Sequence, residues 1–351
     1  MPFLLSPRLR TRRTRRARAL IVCVPPPIAG VSSQAAGFVG FSQSFAKPVE
    51  FASFADFTRS VTATTPSLRL AVKGFFENGG TSCWLALAAE ADLSRALDAL
   101  AEHELALVCS PDQQNFPDAA KLLAGHCEQR RDRICVLHSG APSISIATHQ
   151  PPVRSAYAGY YYPWLTVADG KSTRTIPPSG HVAALLAKGA PASTALMGVL
   201  GVSQAIDETD SSALAARGIN PIRSFPGKGV LVWGARTTSQ DSEYRYLAIR
   251  RLAIFLEHSI EAGLQWTAFE TNGPPLWAQV RSSVSDFLLS TWHGGKLLGR
   301  TAEEAFFVRC DQTTMTQNDI DSGRLIVLVG FASVRPAEFV ILRIGAWTHT
   351  P

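Results

Sequence analysis

Between Leu93 and Leu137 the chain switches twice from a helical to an extended pattern, and this alternation constrains its fold more than any other feature. The helical pattern Leu93 to His103 leads to the strand-like run Leu105 to Cys109. Asp118 to Arg130 is helical again, with Leu122, Leu123 and Cys127 assigned to one face, and Ile134 to Leu137 reads as a short strand. Strands alternating with helices of this length predict a mostly parallel sheet covered by helices. Upstream, Phe38, Val39 and Phe41 read as a buried strand. Ser67 to Phe76 then reads as a helix, Gly79-Gly80 as a turn and Cys83 to Leu87 as a strand.

The middle of the chain reads as loop-rich, with an aromatic cluster from Ser155 to Trp164 that suits core or a subunit interface better than a ligand pocket. Lys171 to Ser179 is polar, and Gly180 to Leu186 starts a helix after Pro177-Pro178. The last third is strongly patterned. Tyr244 to Gly263 carries apolar residues at helical spacing, Trp266 to Glu270 reads as a strand, and Pro274-Pro275 open a helix striped by Trp277, Val280, Val284, Phe287 and Leu288. Thr301 and Glu304 have capping-box spacing for a single turn, and Phe306 to Cys310 is extended. Two further runs, Arg324 to Ala332 and Glu338 to Ile344, alternate around a turn at Arg335-Pro336-Ala337. The 351 residues, 46% of them hydrophobic, suffice for two cores. The expected class is α/β followed by α+β: a basic segment at 1–24, an αβ domain at 25–240, and a C-terminal α+β domain at 241–351 that ends in a β-strand.

The formal charge of +6 is concentrated in Arg8, Arg10, Arg12, Arg13, Arg15, Arg16 and Arg18, so the remainder is close to neutral. This run has no interleaved aromatics to stack on bases, which argues against a nucleic-acid partner. No stretch approaches the roughly 20 apolar residues of a membrane span. The cysteines show no CxxC pairing and no histidine at ligand spacing, so buried reduced thiols are expected. Chemistry is equally hard to place. Gly227-Lys228-Gly229 lacks the earlier glycine of a phosphate-binding loop and has Gly229 where the loop needs Ser or Thr. Asp207, Glu208 and Asp210 suit a helix start better than a cation site. His258 beside Glu257 reads as structural. Ser110-Pro111-Asp112, at the end of a strand, is the one place a doubly wound enzyme would put reactive groups. An αβ hydrolase or nucleotide-binding enzyme is therefore the alternative reading, resting on residues 90–140 alone. No catalytic residue, cofactor or metal site is expected.

Several long segments, in one order, resemble a known family. They are IAGVSSQAAGFVGF from Ile28, AVKGFFENGGTSCW from Ala71, YYPW from Tyr161 with PPSGHVA from Pro177, and GINPIRSFPGKGVLVWGARTT from Gly218. YLAIRRLAIFLEHSIEAGLQWTAFE from Tyr246, EEAFFVRCD from Glu303 and RPAEFVILRI from Arg335 follow. Together they are similar to the tail sheath proteins of contractile phages and to the sheaths of pyocins and extracellular contractile injection systems. Members of that family begin with an extended PGVYxEE-type arm, where this chain has its arginine run. The resemblance implies a structural, non-enzymatic subunit that pairs with copies of itself in hexameric rings stacked as a helix around an inner tube. It implies baseplate and tail terminator proteins as further partners, and contraction that drives the tube through a target envelope. Assembly in a bacterial cytoplasm and residence in a virion tail or phage-tail-like particle also follow from it. The terminal strand, Glu338, Phe339, Val340, Ile341, Leu342, Arg343 and Ile344, is the expected site of strand exchange between subunits.

Overall fold

The computed structural model describes residues 25–32, 34–62, 64–189, 193–333 and 339–348. The arginine run, Glu338 and the turn at 335–337 lie outside the described residues. The first part of the chain contains, in order, β1 (Ala36–Phe41), β2 (Ala46–Phe51), α1 (Phe54–Ser60), α2 (Pro66–Glu77), β3 (Cys83–Ala88), α3 (Leu93–Leu100), β4 (Leu107–Cys109), α4 (Ala119–Arg130), β5 (Ile134–His138) and β6 (Ala158–Tyr162). It continues with β7 (Leu165–Asp169), β8 (Ser172–Ile176), α5 (Ser179–Ala187), β9 (Val199–Val202), α6 (Glu208–Ala216), β10 (Ile219–Phe225) and β11 (Gly229–Val232). The C-terminal part holds α7 (Leu247–Gly263), α8 (Pro274–His293), α9 (Ala302–Ala305), β12 (Phe306–Arg309), α10 (Gln317–Asp321), β13 (Arg324–Ala332) and β14 (Phe339–Trp347).

Eight strands form one sheet in the order β11-β10-β6-β5-β4-β1-β3-β2. The pairs from β3 through β10 are parallel, and only the edge strands β2 and β11 run antiparallel to their neighbours. The inner strands β4, β5 and β6 are buried along their whole length, as strands covered on both faces must be. This corrects the loop-rich reading of the middle at Ser155 to Trp164, whose aromatics do lie in the core, as expected. Its tyrosines are strand formers in the middle of the sheet, and Tyr160, Tyr161 and Tyr162 are almost wholly inaccessible. The polar run at 171–179 is likewise partly a strand, since β8 joins β7 and β9 in a small antiparallel sheet. Helices α2 and α5 approach closely at Gly180, where any Cβ would stand 2.4 Å from the Ala71 carbonyl oxygen.

Two other readings need correction. Leu122 is exposed, whereas Leu123 and Cys127 are buried, because adjacent helical residues diverge by about 100° and cannot share one face. Residues Gln265–Phe269 form a short 3-10 turn rather than a strand. The Thr267 amide and hydroxyl both donate to the Leu264 carbonyl, which winds the chain on past the end of α7.

One buried cation ties the first part together. Arg133 is fully inaccessible at the entrance to β5; its NH1 donates to the Leu100 carbonyl at 2.9 Å and its NH2 to that of His103 at 3.0 Å. Its Nε pairs with Asp132 at 2.6 Å, and the adjacent Arg130 shares that carboxylate. Hydrogen bonds and charge from Arg133 and Arg130 outweigh burial and hold the Asp132 carboxyl below its ordinary range. Arg133→Met should cost about 2–4 kcal/mol, because it orphans the Leu100 and His103 carbonyls and leaves Asp132 with Arg130 as its remaining partner. Urea titration of the pure protein measures it, and a loss under about 1 kcal/mol would show that water replaces the guanidinium.

Buried apolar residues fall into two clusters, one on the eight-stranded sheet and one beneath the C-terminal strands. Helix α7 supplies both: Leu247 and Ile254 face the first, while Ile249, Ala253, Leu256 and Ile260 face the second.

Candidate assembly interface at the C-terminal strands

Strands β12, β13 and β14 form an antiparallel sheet with β13 in the centre. The long pair runs from Arg324 opposite Trp347 to Ala332 opposite Phe339. Along β14 burial alternates: Val340, Leu342 and Ile344 are buried in the C-terminal core, and Arg343 and Gly345 face outward. Ile341 is 47% exposed and Trp347 62% exposed. This period of two fixes the register, because a slip by one residue would bring Ile341 and Arg343 into the core. The outer face has structure of its own. Phe339 meets Phe307 of β12 edge to face at 5.2 Å, over Gly330, which is bare enough to admit the Phe307 ring.

The far end of β14 is pinned. The Thr348 amide donates to the Gly323 carbonyl at 2.8 Å, and the Thr267 hydroxyl reaches the Trp347 carbonyl at 3.1 Å. Among the described residues β14 has a ladder partner on one side only, β13. Its other edge presents main-chain donors and acceptors without a strand to take them, as every edge strand does. The structure places Phe339, Val340, Ile341, Leu342, Arg343 and Ile344 together on this strand, and it carries the strand three residues further, through Gly345, Ala346 and Trp347. The signal for that extension lay in the continued alternation up to Trp347, which glycine and alanine obscure.

Several of the remaining residues singled out from the sequence have local structural partners, whereas the buried Ser110 hydroxyl has no hydrogen-bond partner among the described residues. Asp112 accepts from the Phe41 amide at 2.9 Å and the Thr65 hydroxyl at 2.6 Å, bracing the ends of β1 and α2, and burial pushes its carboxyl up. No sequence pattern announces such a bond between residues 71 positions apart. Lys228 sits in the tight turn of the β10–β11 hairpin, between glycines with φ of 72° and 77°. Asp207 caps α6 by accepting from the Asp210 amide at 2.7 Å, and Glu208 pairs with Arg223. Burial raises the Glu257 carboxyl on α7. Cys83 and Cys310 are buried free thiols pushed up to about 12 by desolvation, which leaves them unreactive. Among the described residues no three His, Cys, Asp or Glu side chains form a cluster able to hold a metal ion. No helix among them is long and apolar enough to cross a membrane.

Comparison with known proteins bears on this arrangement. Residues 87–238 match the phage tail sheath protein central domain, and residues 239–346 match the phage tail sheath C-terminal domain. The tail sheath protein of Vibrio phage KVP40 is 25% identical over 185 residues, 49% of this chain but only 27% of that protein's length. Among solved structures, the contracted helical sheath of the anti-feeding prophage superposes with a TM-score of 0.78 at 31% identity. That match covers 91% of this chain and 94% of the other. The contracted PVC sheath complex of an extracellular contractile injection system gives 0.78 at 28% identity, over 97% and 96% of the two chains. A chain of the anti-feeding prophage baseplate gives 0.75 at 30% identity, over 90% and 94%. The hydrolase or nucleotide-binding reading finds no support in these likenesses, and the fold is one shared with sheath proteins. From its two matched regions and its solved relatives, the chain belongs to the phage tail sheath family, as a structural subunit of the contractile-sheath type.

Proposed function

We propose that copies of this chain polymerise as hexameric rings stacked helically around an inner tube, and that shortening of the polymer drives the tube through a target envelope. The observation that carries this reading is that, among the described residues, β14 pairs on one side only, so its outer edge offers main-chain hydrogen bonds to a strand of a second copy. Main-chain bonds of this kind survive rotation of the bodies they link, which suits a polymer that changes pitch without coming apart. Membership in a structural family supports a non-enzymatic role, and the likeness to helical sheath and baseplate chains supports self-association and contact with a baseplate. Tube and tail terminator subunits complete the proposed partners, and a virion tail or phage-tail-like particle assembled in a bacterial cytoplasm is the proposed location.

Purified full-length chain, concentrated and viewed in negative stain, should form striated tubules of uniform width. A strictly monomeric protein at every concentration, with and without a co-expressed tube subunit, would overturn the proposal.

A further inference from the structure

We propose that the cleft at the C-terminal end of α6 is a binding site for a multivalent oxyanion, one carrying phosphate or carboxylate groups. The cleft has a volume of about 620 Å³ and is lined by four arginines, Arg154, Arg217, Arg236 and Arg245, with no carboxylate among its lining residues. None of the four makes an ion pair with an Asp or Glu among the described residues, whereas eight other pairs do form. Four like charges lining one cleft sum to a positive local potential that attracts a multivalent anion.

The bland account of the cluster is helix capping. Arg154 NH1 donates to the Arg217 carbonyl at 2.8 Å, Arg236 NH1 to that of Ala215 at 3.0 Å, and Arg217 Nε to that of Ala213 at 3.0 Å. These are the last carbonyls of α6, and the end of a helix is equivalent to about half a negative charge. Half a charge does not balance four. The same bonds use only part of each five-donor fork and hold the guanidinium planes in place, which is how arginine is preorganised for bidentate contact with an oxyanion. Arg217 is held twice more, by the carbonyls of Ile146 and Ala147. Arg245 belongs to the connector that leads into α7, and its backbone carbonyl accepts from the Thr237 amide at 2.9 Å. An oxyanion in the cleft therefore bridges the connector to the sheet, and binding should stiffen the junction between the two matched regions.

The test uses the full-length protein with pyrophosphate and, separately, citrate, followed by calorimetric titration and by thermal unfolding at physiological ionic strength. Saturable binding with a rise in Tm is expected, and the anion that binds more tightly identifies phosphate or carboxylate as the source. Arg245→Gln, which leaves the α6 carbonyls capped, should weaken binding about tenfold or more, the loss of one charge-assisted contact. Lys171→Gln, in the remote β7–β8 turn, should leave binding unchanged. Absence of saturation by both anions overturns the site. So does equal weakening by the two variants, since binding would then reflect overall charge.

Discussion

Replacing Ile341 with proline should leave a folded, soluble subunit that forms no tubules. Proline lacks the amide hydrogen and fixes φ near −65°, so one ladder position is lost and the strand bends away from the extended geometry its neighbours need. The C-terminal core should survive, because Ile341 is 47% exposed and the buried contacts come from Val340, Leu342 and Ile344. The effect on assembly is multiplied because each subunit must contribute the same edge, and one defective joint per copy leaves no intact path along a polymer. Ile341→Thr supplies the control, since it keeps a β-branched strand former at the same exposed position and should still assemble. Circular dichroism establishes the fold, and sedimentation with negative stain scores the polymer. Tubules of normal length from the folded proline variant would refute strand pairing at β14.

Acidification should cost the fold about 4 kcal/mol between pH 7 and pH 5, through two buried histidines. His138, at the end of β5, is fully buried with both ring nitrogens unpartnered, and desolvation lowers it from 6.5 to about 3. His181, whose ring lies against Gly74 where α5 meets α2, is lowered to about 4, by burial first and by the charge of Lys73 second. Each folded pKa lies below the unfolded one. The unfolded chain therefore binds protons that the folded chain refuses, and stability falls as pH drops below about 6.5 until the folded pKa is reached. At pH 5 each histidine contributes about 2 kcal/mol to that loss. His126 acts in the same direction, while Asp112 and Glu257, raised by burial, act against it. Stability measured against pH in His181→Gln isolates one contribution: the loss from pH 7 to pH 5 should shrink by about 2 kcal/mol. An unchanged pH profile would show that His181 is protonated or hydrated in the native protein.

The parallel sheet was legible because residues 93–137 repeat a helix–strand unit whose periods differ, and the stripe on α8 was legible because twenty residues sample the helical period several times. The tyrosine run of β6 was not. A strand buried on both faces shows no alternation, and the nearby prolines and glycines resemble loop chemistry. The 3-10 turn after α7 was misread because Trp266, Thr267 and Phe269 favour strands in isolation, and a local hydroxyl-to-carbonyl bond decided otherwise. At the candidate interface, Phe339 to Ile344 announced a strand by alternation. That β14 lies at an edge depends on how strands are ordered in the sheet, which no single segment encodes. The arginine cleft draws its members from positions 154, 217, 236 and 245, and only the fold brings them together.

Helix α7 is a wall common to both cores, and this has a mechanical meaning. Seventeen residues at 1.5 Å each make a strut of about 25 Å, with Leu247 and Ile254 embedded in one half and Ile249, Leu256 and Ile260 in the other. A pull applied at the C-terminal strands is carried into the large sheet by a rigid rod instead of being absorbed by slack in a tether. Neither half can release the rod without exposing its own apolar lining, so the subunit should transmit torque as one piece and yield, under tension, in a single step.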